Sequence, residues 1–277
     1  MNCKSKKKYS PFHSSALILL FAFSIMVSSC FRDPVNVDLS EYGTRVVIQG
    51  TIADNAGPHF VKITETIPYN STEDFPAVSG ADVSIQDGQG NIVKLLETEP
   101  GLYQASNFYG IPERTYTLTA IIKGKRYTAS SGMPKPLLIQ NVMMQRISPG
   151  VNDYELSLSF QDHPGIDNFC LINVYKNGYL HNHYLYQDEQ TDGQEVVFDD
   201  FNVSFNDNDV ATFELISFDR ASYEFFNSLD MVVDAEDREL LATFIPVTTY
   251  NPTTNLNNGA FGYFSAFAVR RYTRIVN

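Results

Sequence analysis

Short segments in which apolar and polar residues alternate recur along most of this 277-residue chain. Residues 81–86 and 116–122 alternate in this way, and residues 45–52 are rich in β-branched side chains. Successive side chains of a β-strand point to opposite faces, so a period of two is typical of strands that bury one face. The pattern predicts a mainly β fold.

Tight turns between these segments indicate antiparallel strands. The pairs Lys123-Gly124 and Asn177-Gly178 each separate two strand-like segments, and glycine adopts positive φ angles at low cost. Repeated short strands joined by such turns predict antiparallel β-sandwiches. The chain has 3 Cys and no Trp, so it lacks the signature of a true immunoglobulin domain. We therefore expect two sandwich-like domains of the Ig-like or transthyretin-like type.

A Pro-Lys-Pro sequence near the middle of the chain interrupts this pattern, because proline has no N–H group to donate to a sheet. We therefore predict an N-terminal β-sandwich over residues 45–133, a linker over residues 134–150 and a C-terminal β-rich domain over residues 151–277. Apolar residues at helical spacing predict one or two helices near residues 220–243. The apolar residues of a long final strand are expected to complete the second core.

Residues 1–29 are predicted to be a signal peptide. They contain four lysines and no acidic residue, and an apolar run covers residues 16–27. As a helix this run would be about 18 Å long, shorter than the roughly 30 Å hydrocarbon core of a bilayer. A basic start followed by a short apolar segment is typical of secretory signals, so we expect export from the cytoplasm.

The sequence Val27-Ser28-Ser29-Cys30 at the end of this segment resembles a bacterial lipobox. In such signals the cysteine receives a diacylglycerol group, the peptide is cut before it, and the new N-terminus is acylated, for which palmitate is expected. We therefore predict lipidation at Cys30, anchoring to a membrane through the acyl chains, and a polar tether over residues 30–44. The alternative is an ordinary signal peptide in which the cysteine occurs by chance.

Acidic residues outnumber basic ones in the chain as a whole. There are 32 Asp+Glu against 20 Lys+Arg, a net charge of −12, and cleavage of the signal peptide would remove four of the lysines. Nucleic-acid binding needs a basic surface, so this composition argues against a nucleic-acid partner.

Several motifs, in the same order along the chain, are similar to those of the DUF4249 family of Bacteroidetes lipoproteins. One is Asp162-His-Pro164 followed by Asn168-Phe169, where the family has Asp-x-Pro and then Asn-Tyr-Tyr. The other matching segments are residues 46–50, 81–88, 101–103, 116–118 and 255–264. The resemblance implies an outer-membrane lipoprotein of unknown function, often encoded beside TonB-dependent receptors, and it implies no catalytic residues.

Two histidines are candidate metal ligands. His181 and His183 stand two residues apart in a predicted strand, so both imidazoles lie on one face and could reach one ion. Asp188 or Glu189 could add a carboxylate. The alternative is an exposed strand of polar and aromatic residues.

A second candidate is the acidic, amide-rich stretch within residues 199–209, which includes Asp207 and Asp209. Oxygen ligands at such close spacing suit Ca²⁺, although the residue order of an EF-hand is absent. The alternative is a solvated loop.

Sequence motifs for nucleophilic or metal-assisted catalysis are absent. There is no Gly-x-Ser-x-Gly elbow, glycine-rich phosphate loop or His-Glu-x-x-His sequence. Cys170 stands among apolar residues and is predicted to be a buried thiol without a chemical role. We therefore predict that the protein is not an enzyme and uses no cofactor.

These observations favour a lipid-anchored binding or accessory protein of the outer membrane, on either of its faces. A TonB-dependent receptor is the partner that the family resemblance implies. One alternative is a surface-adhesion or glycan-binding module, for which the 20 Phe and 16 Tyr residues could provide stacking surfaces. Another is a hydrolase with an unrecognised acidic site.

Overall fold

A computed structural model describes residues 43–68, 71–199, 201–237 and 251–277 of the chain. The signal peptide, Cys30 and nearly all of the predicted tether lie outside the described residues. The described residues form fifteen strands and one helix. The strands are β1 (Val46–Ala53), β2 (Gly57–Glu65), β3 (Asp82–Asp87), β4 (Ile92–Lys94), β5 (Leu96–Glu99), β6 (Leu102–Phe108), β7 (Thr115–Ile122), β8 (Lys125–Gly132), β9 (Ile139–Arg146), β10 (Tyr154–Gln161), β11 (Phe169–Lys176), β12 (Tyr179–Gln187), β13 (Glu195–Phe198), β14 (Val210–Phe218) and β15 (Phe261–Ile275). Helix α1 (Arg220–Asp237) lies between β14 and β15.

The strands form three sheets, which confirms the prediction of a mainly β fold with sandwich-like packing. The largest sheet has the order β12-β11-β14-β15-β1-β2-β6-β5, and the others have the orders β4-β3-β7-β8 and β13-β10-β9. Among the described strand pairs, β1 and β15 are parallel and the others are antiparallel. Both predicted tight turns have positive φ at their two central residues, as type I′ hairpins require.

Two hydrophobic cores lie within this arrangement. The first contains side chains from the four-stranded sheet and from β1, β2, β6 and β15. Its fully buried members include Ile48, Val61, Ile85, Leu118 and Phe264. The second contains side chains from the three-stranded sheet and from β11, β12 and β14. Its fully buried members include Leu158, Phe160, Ile172, Phe213 and Leu215. Burial of each such side chain stabilises the fold by roughly 1.5–3 kcal/mol.

The final strand, β15, changes partner along its length. Residues 261–267 pair in parallel with residues 47–53 of β1. Residues 268–275 pair antiparallel with residues 210–217 of β14. One strand therefore joins the two parts of the eight-stranded sheet.

This pairing corrects the expectation that the final strand completes the second core. Phe264 and Ala266 belong to the first core, because this part of the strand lies beside β1. Ala268, the first residue that pairs with β14, also belongs to the first core. Only Val276, just beyond β15, belongs to the second core.

Helix α1 begins where the sequence predicts a helix and is capped by an aspartate. The Oδ1 atom of Asp219 accepts a hydrogen bond from Ser222 N at 3.0 Å, which is the usual bonding of a helix N-cap, and a second one from Ser222 Oγ at 2.7 Å. The remainder of the predicted range, residues 238–243, lies outside the described residues. No helix among the described residues is long and apolar enough to cross a membrane.

The segment that the sequence predicts to be a linker, residues 134–150, includes strand β9. This strand pairs antiparallel with β10 and is mostly exposed.

The asparagine-rich motif before β15 is explained by backbone hydrogen bonds. Asn255 donates to Phe264 O (2.7 Å) and accepts from Phe264 N (3.0 Å). Asn257 Oδ1 accepts from Thr128 N at 2.8 Å, and Asn258 donates to the backbone of the same strand, β8. These amides attach the segment to the edge of β8, where an unpaired strand edge would otherwise be exposed.

Candidate functional site

Three aspartates meet where four strands begin or end. Asp162 follows β10, Asp188 follows β12, and Asp192 lies in the loop before β13. Pairing brings the ends of β10 and β13 together in one sheet and those of β11 and β12 together in another, and the two sheets pack around the second core. One carboxylate oxygen from each aspartate lies within 4.8 Å of the others. We call Asp162, Asp188 and Asp192 the aspartate cluster.

Asp162 is the buried member of the aspartate cluster. Its side chain is 0% exposed, and its Oδ2 atom accepts a hydrogen bond from Gly193 N at 3.0 Å. Within the described part of the chain, its Oδ1 atom has no hydrogen-bond partner. Buried polar atoms are nearly always hydrogen-bonded in folded proteins, so an unpaired carboxylate oxygen needs an explanation.

The loops around the cluster are fixed by hydrogen bonds from their own residues. Asn168 donates to His163 O (3.1 Å) and Ile166 O (2.9 Å), and thereby closes the loop between β10 and β11. Its amide also lies 3.5 Å from Asp188 Oδ2. Gly165 N donates to Asp192 Oδ1 at 2.6 Å. The Asp-x-Pro and Asn elements of the sequence motif therefore position the aspartates.

Burial and negative charge together raise the pKa of Asp162. Removal from water has the largest effect, the hydrogen bond from Gly193 opposes it, and the charges of Asp188 and Asp192 add to it. The aspartate cluster thus disfavours its own negative charges, and either a proton or a cation would relieve this repulsion.

A groove of about 400 Å³ opens beside the aspartate cluster, and Asp188 and Asp192 are among its lining residues. Asp192 is exposed and Asp188 is partly buried. Arg220 also lines the groove, where it forms a salt bridge with Asp167 and stacks over the ring of Phe169. The groove gives solvent access to two of the three carboxylates.

The two candidate histidines are both exposed on the edge strand β12. His183 Nε2 lies 3.5 Å from Asp230 Oδ1 of helix α1. In the described part of the chain, neither histidine belongs to a group of three metal-ligating side chains. Asp188, which the sequence offered as their partner, belongs to the aspartate cluster.

The candidate acids of the 199–209 stretch are bound by nearby side chains. Tyr154 Oη donates to Asp207 Oδ1 at 2.7 Å. Asp209 accepts from Asn177 Nδ2 at 2.8 Å and pairs with Lys176 at 3.1 Å. Hydrogen bonds, first of all the one from Asn177, lower the pKa of Asp209 to about 2. These contacts close the loop before β14 against the β11–β12 turn.

A second buried polar cluster lies on the eight-stranded sheet. Glu214 accepts hydrogen bonds from Asn173 and Tyr175, both at 3.1 Å, and from Arg271 at 2.5 Å. Burial alone would raise the pKa of Glu214, but these three donors hold it below its usual value. Because each oxygen of the carboxylate has a donor, this cluster suits a structural role.

Cys170 is a buried free thiol, as the sequence predicts. Burial, followed by the negative charge of Asp162, raises its pKa. A thiol that is both inaccessible and protonated is a poor nucleophile.

The amino-acid sequence alone does not indicate the aspartate cluster. In the sequence, Asp162 and Asn168 stand out only through the family resemblance, and Asp188 only as a possible partner for His181 or His183. Asp188 and Asp192 stand four residues apart after a strand, which is a local signal. Asp162 joins them only through the assembly of two sheets.

Comparisons with known proteins add one informative result. A family model described as "Domain of unknown function (DUF4249)" matches residues 32–273. No curated protein sequence matches the chain significantly. Among solved structures, the Yersinia pseudotuberculosis adhesin InvE matches 62% of this chain and 55% of its own length, with 13% identity and a TM-score of 0.20. This TM-score is too low for the likeness to carry an argument.

Proposed function

This chain belongs to the DUF4249 family, a family of unknown function, and we propose that it is a lipid-anchored binding or accessory protein of the bacterial outer membrane. One sequence observation carries the proposal. Val27-Ser28-Ser29-Cys30 directly follows a basic start and an apolar run. The acyl chains of a lipidated cysteine would hold the protein at a bilayer, because each buried CH₂ contributes about 0.8 kcal/mol.

The proposal does not include catalysis. Asp162, a described carboxyl group with a raised pKa, is fully buried and so cannot contact a substrate directly. Cys170 is likewise inaccessible. Both observations support a binding role over a hydrolase.

Replacement of Cys30 tests the lipid anchor. In Cys30→Ser we expect loss of palmitate labelling, accumulation of the uncleaved precursor and loss of the mature form from the outer-membrane fraction. Ser29→Ala is the matched control, because it keeps a small residue before the cysteine and should be processed normally. Normal labelling and fractionation of Cys30→Ser would contradict the proposal.

The proposed partner is a TonB-dependent receptor. This partner rests on the family resemblance, and affinity purification of the native lipoprotein from detergent-solubilised outer membranes tests it. We expect a receptor of this class to be recovered with the lipoprotein at a fixed ratio. Recovery of the lipoprotein alone, at native abundance, would count against a stable partnership.

Surface adhesion or glycan binding is the second candidate, and the edge strand β12 favours it. Within the eight-stranded sheet β12 pairs on one side only, and its Tyr179 side chain is 80% exposed. An exposed aromatic ring can stack on a sugar face. On a glycan array, binding that is lost in Tyr179→Ser would favour this function.

A further inference from the structure

We propose that the aspartate cluster, Asp162, Asp188 and Asp192, binds a divalent cation of the size of Ca²⁺. The site lies in the folded part of the chain, so it depends neither on lipid anchoring nor on a partner protein. It also differs from the acidic stretch at residues 199–209 that the sequence suggested for calcium.

The unpaired Oδ1 atom of Asp162 is the first observation. The side chain is fully buried, and its other oxygen is already bound by Gly193 N. Exposed carboxylates can be satisfied by water, but this oxygen has no hydrogen-bond partner in the described residues. Its carboxylate lies beside two other carboxylates. A cation bound between the three would supply the missing partner.

The charge of the surroundings is the second observation. Among the described residues, none of the three aspartates forms a salt bridge. Arg220, the arginine that lines the adjoining groove, pairs with Asp167 instead. The charge of the adjacent His163 is the smallest of the effects on the pKa of Asp162. Three neighbouring carboxylates without a salt-bridge partner among the described residues therefore form a site where a divalent ion offsets the repulsion.

The donor atoms and their spacing identify the class of ion. All three ligands are carboxylate oxygens, which hard cations prefer, whereas zinc sites usually contain His or Cys. Oxygens bound to Ca²⁺ at 2.3–2.6 Å can be up to about 5 Å apart, whereas those bound to Mg²⁺ at 2.0–2.1 Å can be about 4 Å apart at most. Carboxylate oxygens that all lie within 4.8 Å of one another can bind one Ca²⁺. The flexible coordination of Ca²⁺ suits ligands fixed by the surrounding loops better than the near-ideal octahedron that Mg²⁺ demands, and water can reach the ion through the groove.

Thermal unfolding of the EDTA-treated full-length chain, purified in detergent, tests the site. We expect CaCl₂ to raise the melting temperature. At a calcium concentration about ten times the dissociation constant, the folding equilibrium should shift about elevenfold. Calorimetric titration with CaCl₂ should give one ion per chain. The same concentration of MgCl₂ should give a smaller shift, and an equal shift would contradict the assignment of ion size.

Two variants and one control make the test specific. Asp192→Asn changes an exposed side chain whose oxygen can still accept from Gly165 N, so it should fold normally and bind calcium at least about tenfold more weakly. Asp162→Asn should melt in EDTA at or above the temperature of the wild type, because it removes repulsion, and should lose the calcium response. Asp167→Asn alters the same groove outside the aspartate cluster and should respond to calcium as the wild type does.

Two results would overturn the proposal. One is an unchanged melting temperature of the EDTA-treated wild type in about 5 mM CaCl₂, which is above the dissociation constants of extracellular calcium modules. The other is a calcium response in Asp192→Asn equal to that of the wild type. If Asp162→Asn does not fold, Asp192→Asn and the titration of the wild type still decide the question.

Discussion

At the residue scale, Gly262 shows why glycine is needed where β15 begins to pair with β1. Its φ angle is +95°, and a Cβ atom there would lie 2.1 Å from the carbonyl oxygen of Ile48. Any larger residue therefore meets both a strained backbone conformation and a backbone atom that cannot move independently of β1. Asn255, in the motif that precedes Gly262, bonds both backbone polar groups of Phe264, two residues further along β15.

We expect Gly262→Ala to lower the free energy of unfolding by at least about 2 kcal/mol, because backbone strain and overlap add. Gly178→Ala is the matched control, since Gly178 has a φ of +84° but open space around its Cβ position. It should cost only about 1 kcal/mol. Urea unfolding of the two variants measures both values, and equal losses would mean that the contact with Ile48 is unimportant.

At the scale of elements, Asp209 connects the β11–β12 turn to the loop before β14. It accepts hydrogen bonds from Asn177 Nδ2 and Asn206 N, both at 2.8 Å, and pairs with Lys176. These contacts lower its pKa from 3.8 to about 2. Because the pKa of Asp209 is lower in the folded than in the unfolded state, its contribution to stability is fully present above the unfolded pKa of 3.8. This contribution is lost as the pH falls through the folded pKa of about 2.

Asp209→Asn should therefore lower the free energy of unfolding at neutral pH by roughly 1–2 kcal/mol. The difference from the wild type should narrow between about pH 4 and pH 2. Denaturant unfolding over this pH range measures the difference. Asp82→Asn is the control, because Asp82 forms an exposed pair with Lys94 that should contribute less than about 1 kcal/mol. A pH-independent difference for Asp209→Asn would contradict the electrostatic explanation.

Strands that bury one face could be predicted from sequence alone. The alternating pattern predicts β3 and β7 to within about one residue, because burial of one face of a strand produces a period of two in the sequence. It does not predict β9, since most side chains of this edge strand are exposed and carry no such pattern. The parallel pairing of β1 with β15 joins residues more than two hundred positions apart, and no local signal encodes it.

The candidate site, like the pairing of β1 with β15, depends on contacts between distant residues and has little local signal in the sequence. Each aspartate of the aspartate cluster is unremarkable in the sequence, where 32 acidic residues offer many combinations. Strand pairing places β10 beside β13 in one sheet and β11 beside β12 in another. Packing of these sheets around the second core brings the three aspartates together. The burial of Asp162 distinguishes the cluster from a solvated loop, and burial is a property of the assembled sheets.

At the scale of the whole molecule, β15 connects the two cores. Where β1 ends, Asp54 Oδ1 accepts from Val269 N at 2.9 Å, and Asp54 Oδ2 binds Arg270 at 2.7 Å. These bonds lie just beyond the position where β15 leaves β1 and continues beside β14. Strand β15 forms backbone hydrogen bonds with β1 in one part of the sheet and with β14 in the other. Unfolding of either core would therefore disrupt a strand that also pairs beside the other core.

We therefore expect the two cores to unfold together. Phe264→Ala in the first core and Phe213→Ala in the second should each lower the free energy of unfolding by about 3–5 kcal/mol and move one shared transition. Tyrosine fluorescence and far-ultraviolet circular dichroism should give coincident denaturant curves for the wild type and both variants. Two separate transitions, with each substitution shifting only one of them, would show instead that β15 joins the cores without coupling their stability.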